Sequence, residues 1–110
     1  MITWVDEDIL AIPSEGSSPI GLTLSKLLRA NGQRVGVVQI VSYNGPTWYA
    51  FGGNNNPPTQ INPANYIGIP IAVNTSAEIY GYDNLVNIQL ITDSDSSANV
   101  TAYVAYGILS

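Results

Sequence analysis

Three features of this sequence predict an all-β chain, an antiparallel β-sandwich of jelly-roll type with at most one short helix near residues 23–30. From Val35 onward, apolar and polar residues alternate at period two in short runs rich in β-branched and aromatic side chains, the mark of half-buried strands. Clusters of Gly, Pro, Asn, Asp and Ser separate these runs at intervals of about ten residues, as in sandwiches and jelly rolls. The chain has 110 residues and no Cys, enough for one core that buries roughly two-thirds of the unfolded surface without disulfides. Residues 1–110 are therefore read as a single domain.

Taken in order, residues 2–5 and 9–12 are apolar enough for edge strands, separated by the acidic triplet Asp6-Glu7-Asp8. Residues 23–30, Thr-Leu-Ser-Lys-Leu-Leu-Arg-Ala, are the one plausible helix, with Asn31-Gly32 as a left-handed stop and cations near the negative end of the dipole. Asn-Gly equally closes a type I′ turn, so a strand and hairpin is the rival reading. Residues 35–43 form a β-branched strand, Asn44-Gly45-Pro46 supplies turn chemistry, and residues 47–51 resume as an aromatic strand, so this stretch reads as a hairpin. Gly52-Gly53 ends that strand, and residues 54–65, rich in Asn and Pro and without charge, read as a long exposed loop of the kind that carries function. Residues 67–73 and 77–82 add two strands around Asn74-Thr75-Ser76, with Asp83-Asn84 as the next turn. In residues 86–92, Val86, Ile88 and Leu90 share one face while Asn87 and Gln89 share the other, predicting a strand with one wet side. Residues 93–98 are a polar hairpin loop, and in residues 99–107 Val100, Ala102, Val104 and Tyr106 oppose Thr101, Tyr103 and Ala105, with both faces coverable.

Composition excludes several functions. Lys26, Arg29 and Arg34 are the only cations against eight carboxylates, for a formal charge of −5, so the chain has no basic footprint with which to replace counterions on nucleic acid. The longest apolar runs are broken by Gly and Pro and fall far short of the ~20 residues of a membrane helix. Acid near the N-terminus, where a secretory signal carries base, predicts no such signal. Charged residues make up 10% of the chain where about 25% is usual. Eleven Asn, ten Ser, seven Thr and seven Tyr cover the surface instead. Interface cores are depleted in charge and enriched in aromatics, so this surface suits self-association or docking.

Catalytic constellations are missing. Without His, a serine nucleophile has no imidazole base, and no Gly-x-Ser-x-Gly elbow occurs. The isolated acids Glu15, Glu78 and Asp83 sit in no glycosidase-like context. Asp93, Asp95 and Ser97 imitate the start of an EF-hand loop, but Ala98 stands where that loop needs Gly and Val104 where it needs Glu. Asp6-Glu7-Asp8 has the ligand chemistry of a Ca²⁺ site, and its plainer reading is a solvated loop. No catalytic residue, cofactor or metal is expected. Trp48, Tyr49, Phe51, Tyr43 and Tyr66 are weighed as an aromatic ledge for sugar stacking, against ordinary burial of aromatics.

The Tyr43-Asn44-Gly45-Pro46-Thr47-Trp48-Tyr49 stretch, the Asn/Pro loop, and the closing strands Asn87-Ile88-Gln89-Leu90 and Val100-Thr101-Ala102-Tyr103-Val104 resemble the small capsid decoration, or cement, proteins of tailed bacteriophages. The resemblance implies a non-catalytic virion protein made in the host cytoplasm and placed on the capsid surface. It further implies a homotrimer that binds the major capsid protein at subunit junctions and stabilises the shell through many weak, symmetry-repeated contacts. Trp4, Asn54, Asn55, Asn56, Pro57, Pro58 and Tyr66 are the candidate contact residues. A carbohydrate-binding or receptor-binding β module is the alternative, and a phage tail or neck component a further one.

Overall fold

A computed structural model of the chain describes residues 1–14, 16–52, 63, 67–93 and 99–110. Seven strands and two short helices follow in the order β1 (Ile2–Ile12), α1 (Leu24–Leu27), β2 (Val37–Tyr43), β3 (Thr47–Phe51), β4 (Ile69–Ile71), β5 (Ser76–Tyr80), α2 (Tyr82–Asn87), β6 (Ile88–Ile91) and β7 (Val100–Leu109). They form a four-stranded sheet, β1-β7-β2-β5, and a three-stranded sheet, β4-β3-β6, with all strand pairs antiparallel. The all-β sandwich expected from the alternation is the architecture observed.

The strand pairs are nested. β1 pairs with β7, Ile20 bridges Leu90 of β6, β2 pairs with β5, and β3 pairs with β4. The chain is thus one long hairpin wrapped over itself, which is the jelly-roll arrangement. Its eighth strand is reduced to the single residue Ile20, whose N–H donates to the Leu90 carbonyl at 3.1 Å and whose carbonyl accepts from the Leu90 N–H at 2.7 Å. Between the sheets, Val38, Ile40, Ile79, Val104 and Tyr106 meet Ile71, Ile88 and Leu90 in one buried cluster.

This wrap corrects the expected hairpins. β2 and β3 lie in different sheets, so Asn44 (φ 66°) and Gly45 (φ 148°) turn an arch between layers. Ser42 holds that arch: its Oγ donates to the Gly45 carbonyl at 2.6 Å and lies 2.7 Å from the Thr47 Oγ1. β4 and β5 are likewise divided between the sheets, as are β6 and β7. The two N-terminal strands are one continuous β1, and the acidic triplet lies within it.

There is a second helix, α2, beyond the single one expected. Residues 82–87 make one and a half turns that bury Leu85 and expose Val86, so Val86 does not share a face with Ile88 and Leu90. Of the predicted wet pair, Asn87 is exposed at the end of α2, whereas Gln89 is buried with the rest of β6. At α1 both rival readings hold in part. The helix lasts only from Leu24 to Leu27, and the chain then closes a small hairpin through a Leu28–Arg34 bridge, with Gly32 at φ 83° in its turn.

Candidate functional site

β7 puts Val100, Ala102, Val104 and Tyr106 in the core, so Thr101, Tyr103, Ala105, Gly107 and Leu109 project from the other side of the four-stranded sheet. Register assembles the outer face in rows. Trp4, Gly107, Val37 and Tyr80 form one row, Glu7, Ala105, Gln39 and Glu78 the next, and Ile9, Tyr103, Val41 and Ser76 the third. Tyr43 and Ala11 flank Thr101 in a fourth. Trp4, Ile9, Tyr43, Tyr80, Tyr103 and Leu109 are all exposed there, Ile9 the most at 64%.

Trp4 reaches this face because of a bulge. Simple alternation would send Trp4 to the same side as Asp6, Asp8, Leu10 and Ile12, but the β1–β7 register shifts between Trp4 and Asp6, and an extra residue in one strand reverses the faces beyond it. Trp4 then stands opposite Gly107, where its Cε3 would lie 3.0 Å from a Cβ at that glycine, beside Ile2 Cγ2 at 2.7 Å and Val37 Cγ1 at 2.9 Å. An aromatic laid over a cross-strand glycine fills the gap that the missing side chain leaves. With Val5, Asp6, Glu7 and Ala105, Trp4 also lines a shallow open groove of about 400 Å³.

The charges of this face sit at its lateral margins. Glu7 on β1 accepts a hydrogen bond from Tyr103 Oη at 3.0 Å, and Glu78 on β5 accepts one from Tyr80 Oη at 3.3 Å. The Glu7 hydrogen bond and charge raise the Tyr103 phenol above its ordinary value, and partial desolvation followed by Glu78 does the same to Tyr80.

Asp6 and Asp8 do something other than the solvated-loop reading. Asp6 Oδ1 accepts from the Glu7 N–H at 2.9 Å and Asp8 Oδ1 from the Ile9 N–H at 3.0 Å. Lys26 Nζ donates to the Glu7 carbonyl at 2.6 Å and lies 3.7 and 3.9 Å from Asp6 Oδ1 and Asp8 Oδ1. Thr23 Oγ1 donates to Asp8 Oδ2 at 2.5 Å. β1 is an edge strand, and these side chains occupy its outward backbone groups. The centre of the triplet therefore holds the chain's own ammonium, and no group of three or more metal-ligating side chains occurs among the described residues.

Of the sequence-predicted contact residues, Trp4 is exposed at 43%, whereas Asn54, Asn55, Asn56, Pro57, Pro58 and Tyr66 lie outside the described residues. The five-residue aromatic ledge is not assembled. Tyr49 and Phe51 meet edge to face at 5.8 Å, Trp48 is half-buried on the opposite side of β3, and Tyr43 belongs to the other sheet. Sequence reasoning passed over Ile9, Tyr80 and Leu109 as companions of Trp4. Period two in residues 99–107 marks Tyr103 as outward, but no local signal announces the bulge that aligns Trp4 with it. Comparison with protein-family models, with curated proteins and with solved structures gives no match to this chain.

Proposed function

We propose that this chain is a non-catalytic structural protein of a virion, a capsid decoration protein that self-associates and binds the major capsid protein at subunit junctions. The carrying observation is the outer face of the four-stranded sheet: Trp4, Ile9, Tyr43, Tyr80, Tyr103 and Leu109 are exposed together on strands that bear no Lys or Arg. Exposed apolar patches of this kind are interaction sites. Capsid decoration needs broad contacts repeated by symmetry, and the outer face of the four-stranded sheet offers a broad surface for them. No described helix is long and apolar enough to cross a membrane.

The test is co-production with the major capsid protein encoded in the same genome, followed by electron microscopy of the shells. Added density at subunit junctions, with shells that withstand heating better, is the expected result. Bare shells would count against the reading. Glycan-array binding abolished by Tyr103→Ala would favour the carbohydrate-binding alternative, since Tyr103 and Glu7 pair an aromatic ring with a carboxylate on this face.

A further inference from the structure

We propose that β5 is a docking edge, which takes up an extended basic segment of another polypeptide by strand addition and places a Lys or Arg of that segment opposite Glu78. The proposal goes beyond the capsid reading and does not depend on it.

The outermost strands of the two sheets differ in what their free sides present. On β1, Asp6 and Asp8 hold the Glu7 and Ile9 N–H groups, and Lys26 holds the Glu7 carbonyl. On β6, Ile20 takes both the N–H and the carbonyl of Leu90. β4 is guarded by a proline. The Gly52 N–H donates to the Asn87 carbonyl, one step beyond the Phe51–Ile88 pair, so alternation turns the backbone groups of Trp48 and Ala50 toward β6 and those of Thr47 and Tyr49 toward β4. Pro70, opposite Trp48, therefore has its nitrogen on the free side, and that nitrogen carries no hydrogen.

β5 is different. The Gly81 N–H donates to the Gly36 carbonyl at 2.9 Å and the Ser42 N–H to the Thr75 carbonyl at 3.3 Å, in register with the β2–β5 pairs between them. Alternation then gives the Ala77 and Ile79 backbone groups to β2 and turns those of Ser76, Glu78 and Tyr80 outward. Asn84 Nδ2 takes the Tyr80 carbonyl at 3.1 Å. The outward N–H and carbonyl groups of Ser76 and Glu78 meet no hydrogen-bond partner among the described residues, and both residues are exposed. Such a run of open backbone groups is a template for an added strand.

Charge selects which strand. Glu78 stands at the middle of the outward run and forms no ion pair among the described residues, while Arg34 lies over the Tyr82 ring at 4.7 Å. β1, β2, β5 and β7 carry no Lys or Arg. A residue directly opposite Glu78 is favoured when cationic and disfavoured when acidic. A second copy of β5 is therefore a poor occupant: pairing Glu78 with Ser76, Glu78 or Tyr80 of that copy sets the two Glu78 carboxylates opposite or diagonal to each other. The residues on either side of the cation turn to the core side with Ala77 and the buried Ile79, so the segment reads apolar-basic-apolar.

Amide NMR spectra of the purified chain, titrated with the blocked peptides Thr-Val-Lys-Val-Thr and Thr-Val-Glu-Val-Thr, test this on the wild type, Glu78→Lys and Glu78→Pro. The expected result is saturable shifts centred on the Ser76 and Glu78 amides with the Lys peptide, binding about threefold or more weaker for the Glu peptide, and the reverse order in Glu78→Lys. Glu78→Pro, which removes the outward N–H as Pro70 does on β4, should lose binding of both. No saturable shift at β5 with either peptide, or a preference that Glu78→Lys leaves unchanged, would overturn the proposal. So would a wild-type dimer that Glu78→Pro dissolves, since a second copy then occupies the edge. The charge inversion does not require the proline variant to fold. Because no shell is present, the outcome is separate from success or failure of the capsid reading.

Discussion

Gly107 lies on the exposed face between Trp4 and Val37, and its lack of a side chain organises its neighbours. A Cβ there would lie within 3.0 Å of Ile2, Val37 and Trp4, two of them β-branched and unable to swing aside cheaply. Gly107→Ala should therefore destabilise the fold by about 1–3 kcal/mol, as overpacking does, measured as a lower urea midpoint at unchanged slope. Tyr106, on the core side of the same strand, is fully buried and receives the Thr23 N–H on its Oη at 3.4 Å. Burial pushes its phenol up to about 12, with Asp8 and Asp6 adding to the shift and the Thr23 hydrogen bond opposing it. The folded state thus holds this proton more tightly than the unfolded state. The resulting stability is complete below the unfolded tyrosine value of ~10 and is lost as pH rises from there through the folded value. Unfolding free energy should fall by no more than about 3 kcal/mol across that window, and Tyr106→Phe should remove this part of the alkaline loss in urea titrations at successive pH.

At the scale of elements, β1 combines two devices that pattern alone does not reveal. The bulge at Val5 turns Trp4 and Ile2 outward, and Asp6, Asp8 and Lys26 close the edge. The Lys26 ion pairs are partly exposed, with side-chain accessibilities of 30% and 46% for the Asp6 pair, so they add little stability. Lys26→Ala should change the unfolding free energy by less than ~1 kcal/mol yet raise the tendency to form open-ended aggregates, because the Glu7 carbonyl becomes free to pair. Light scattering during prolonged incubation would detect this, and a variant as clear as the wild type would deny the guard its role. The α2–β6 segment shows where alternation misleads. Val86, Ile88 and Leu90 mimic a strand face, but Val86 lies in α2, where Leu85 is the buried residue, and the strand begins only at Ile88.

For the molecule as a whole, the nested wrap joins residues from opposite ends of the chain. Ile2 pairs with Leu109, and the Met1 ammonium donates to the Ser110 carbonyl at 3.0 Å. The outermost strands lose the most loop entropy before any contact rewards them, so folding should take ~milliseconds to seconds, as in other β folds of high contact order. Stopped-flow fluorescence of Trp4 and Trp48 would measure it, and submillisecond folding would contradict the non-local topology.

Local alternation and composition establish the class of the protein and most of its strands. They also establish the inward face of β7 and the uncharged, Tyr- and Asn-rich surface, because both are local records of which side chains meet water. Which strands pair is settled by long-range packing. Asn44-Gly45-Pro46 is equally good chemistry for a hairpin within one sheet and for an arch between two, and the choice rests on partners from β4, β5, β6 and β7. The candidate face was legible in Trp4 and Tyr103 separately, but their alignment depends on a one-residue bulge whose position is set by the β7 register. That register is a property of two segments nearly a hundred residues apart, so no window of local sequence could carry it.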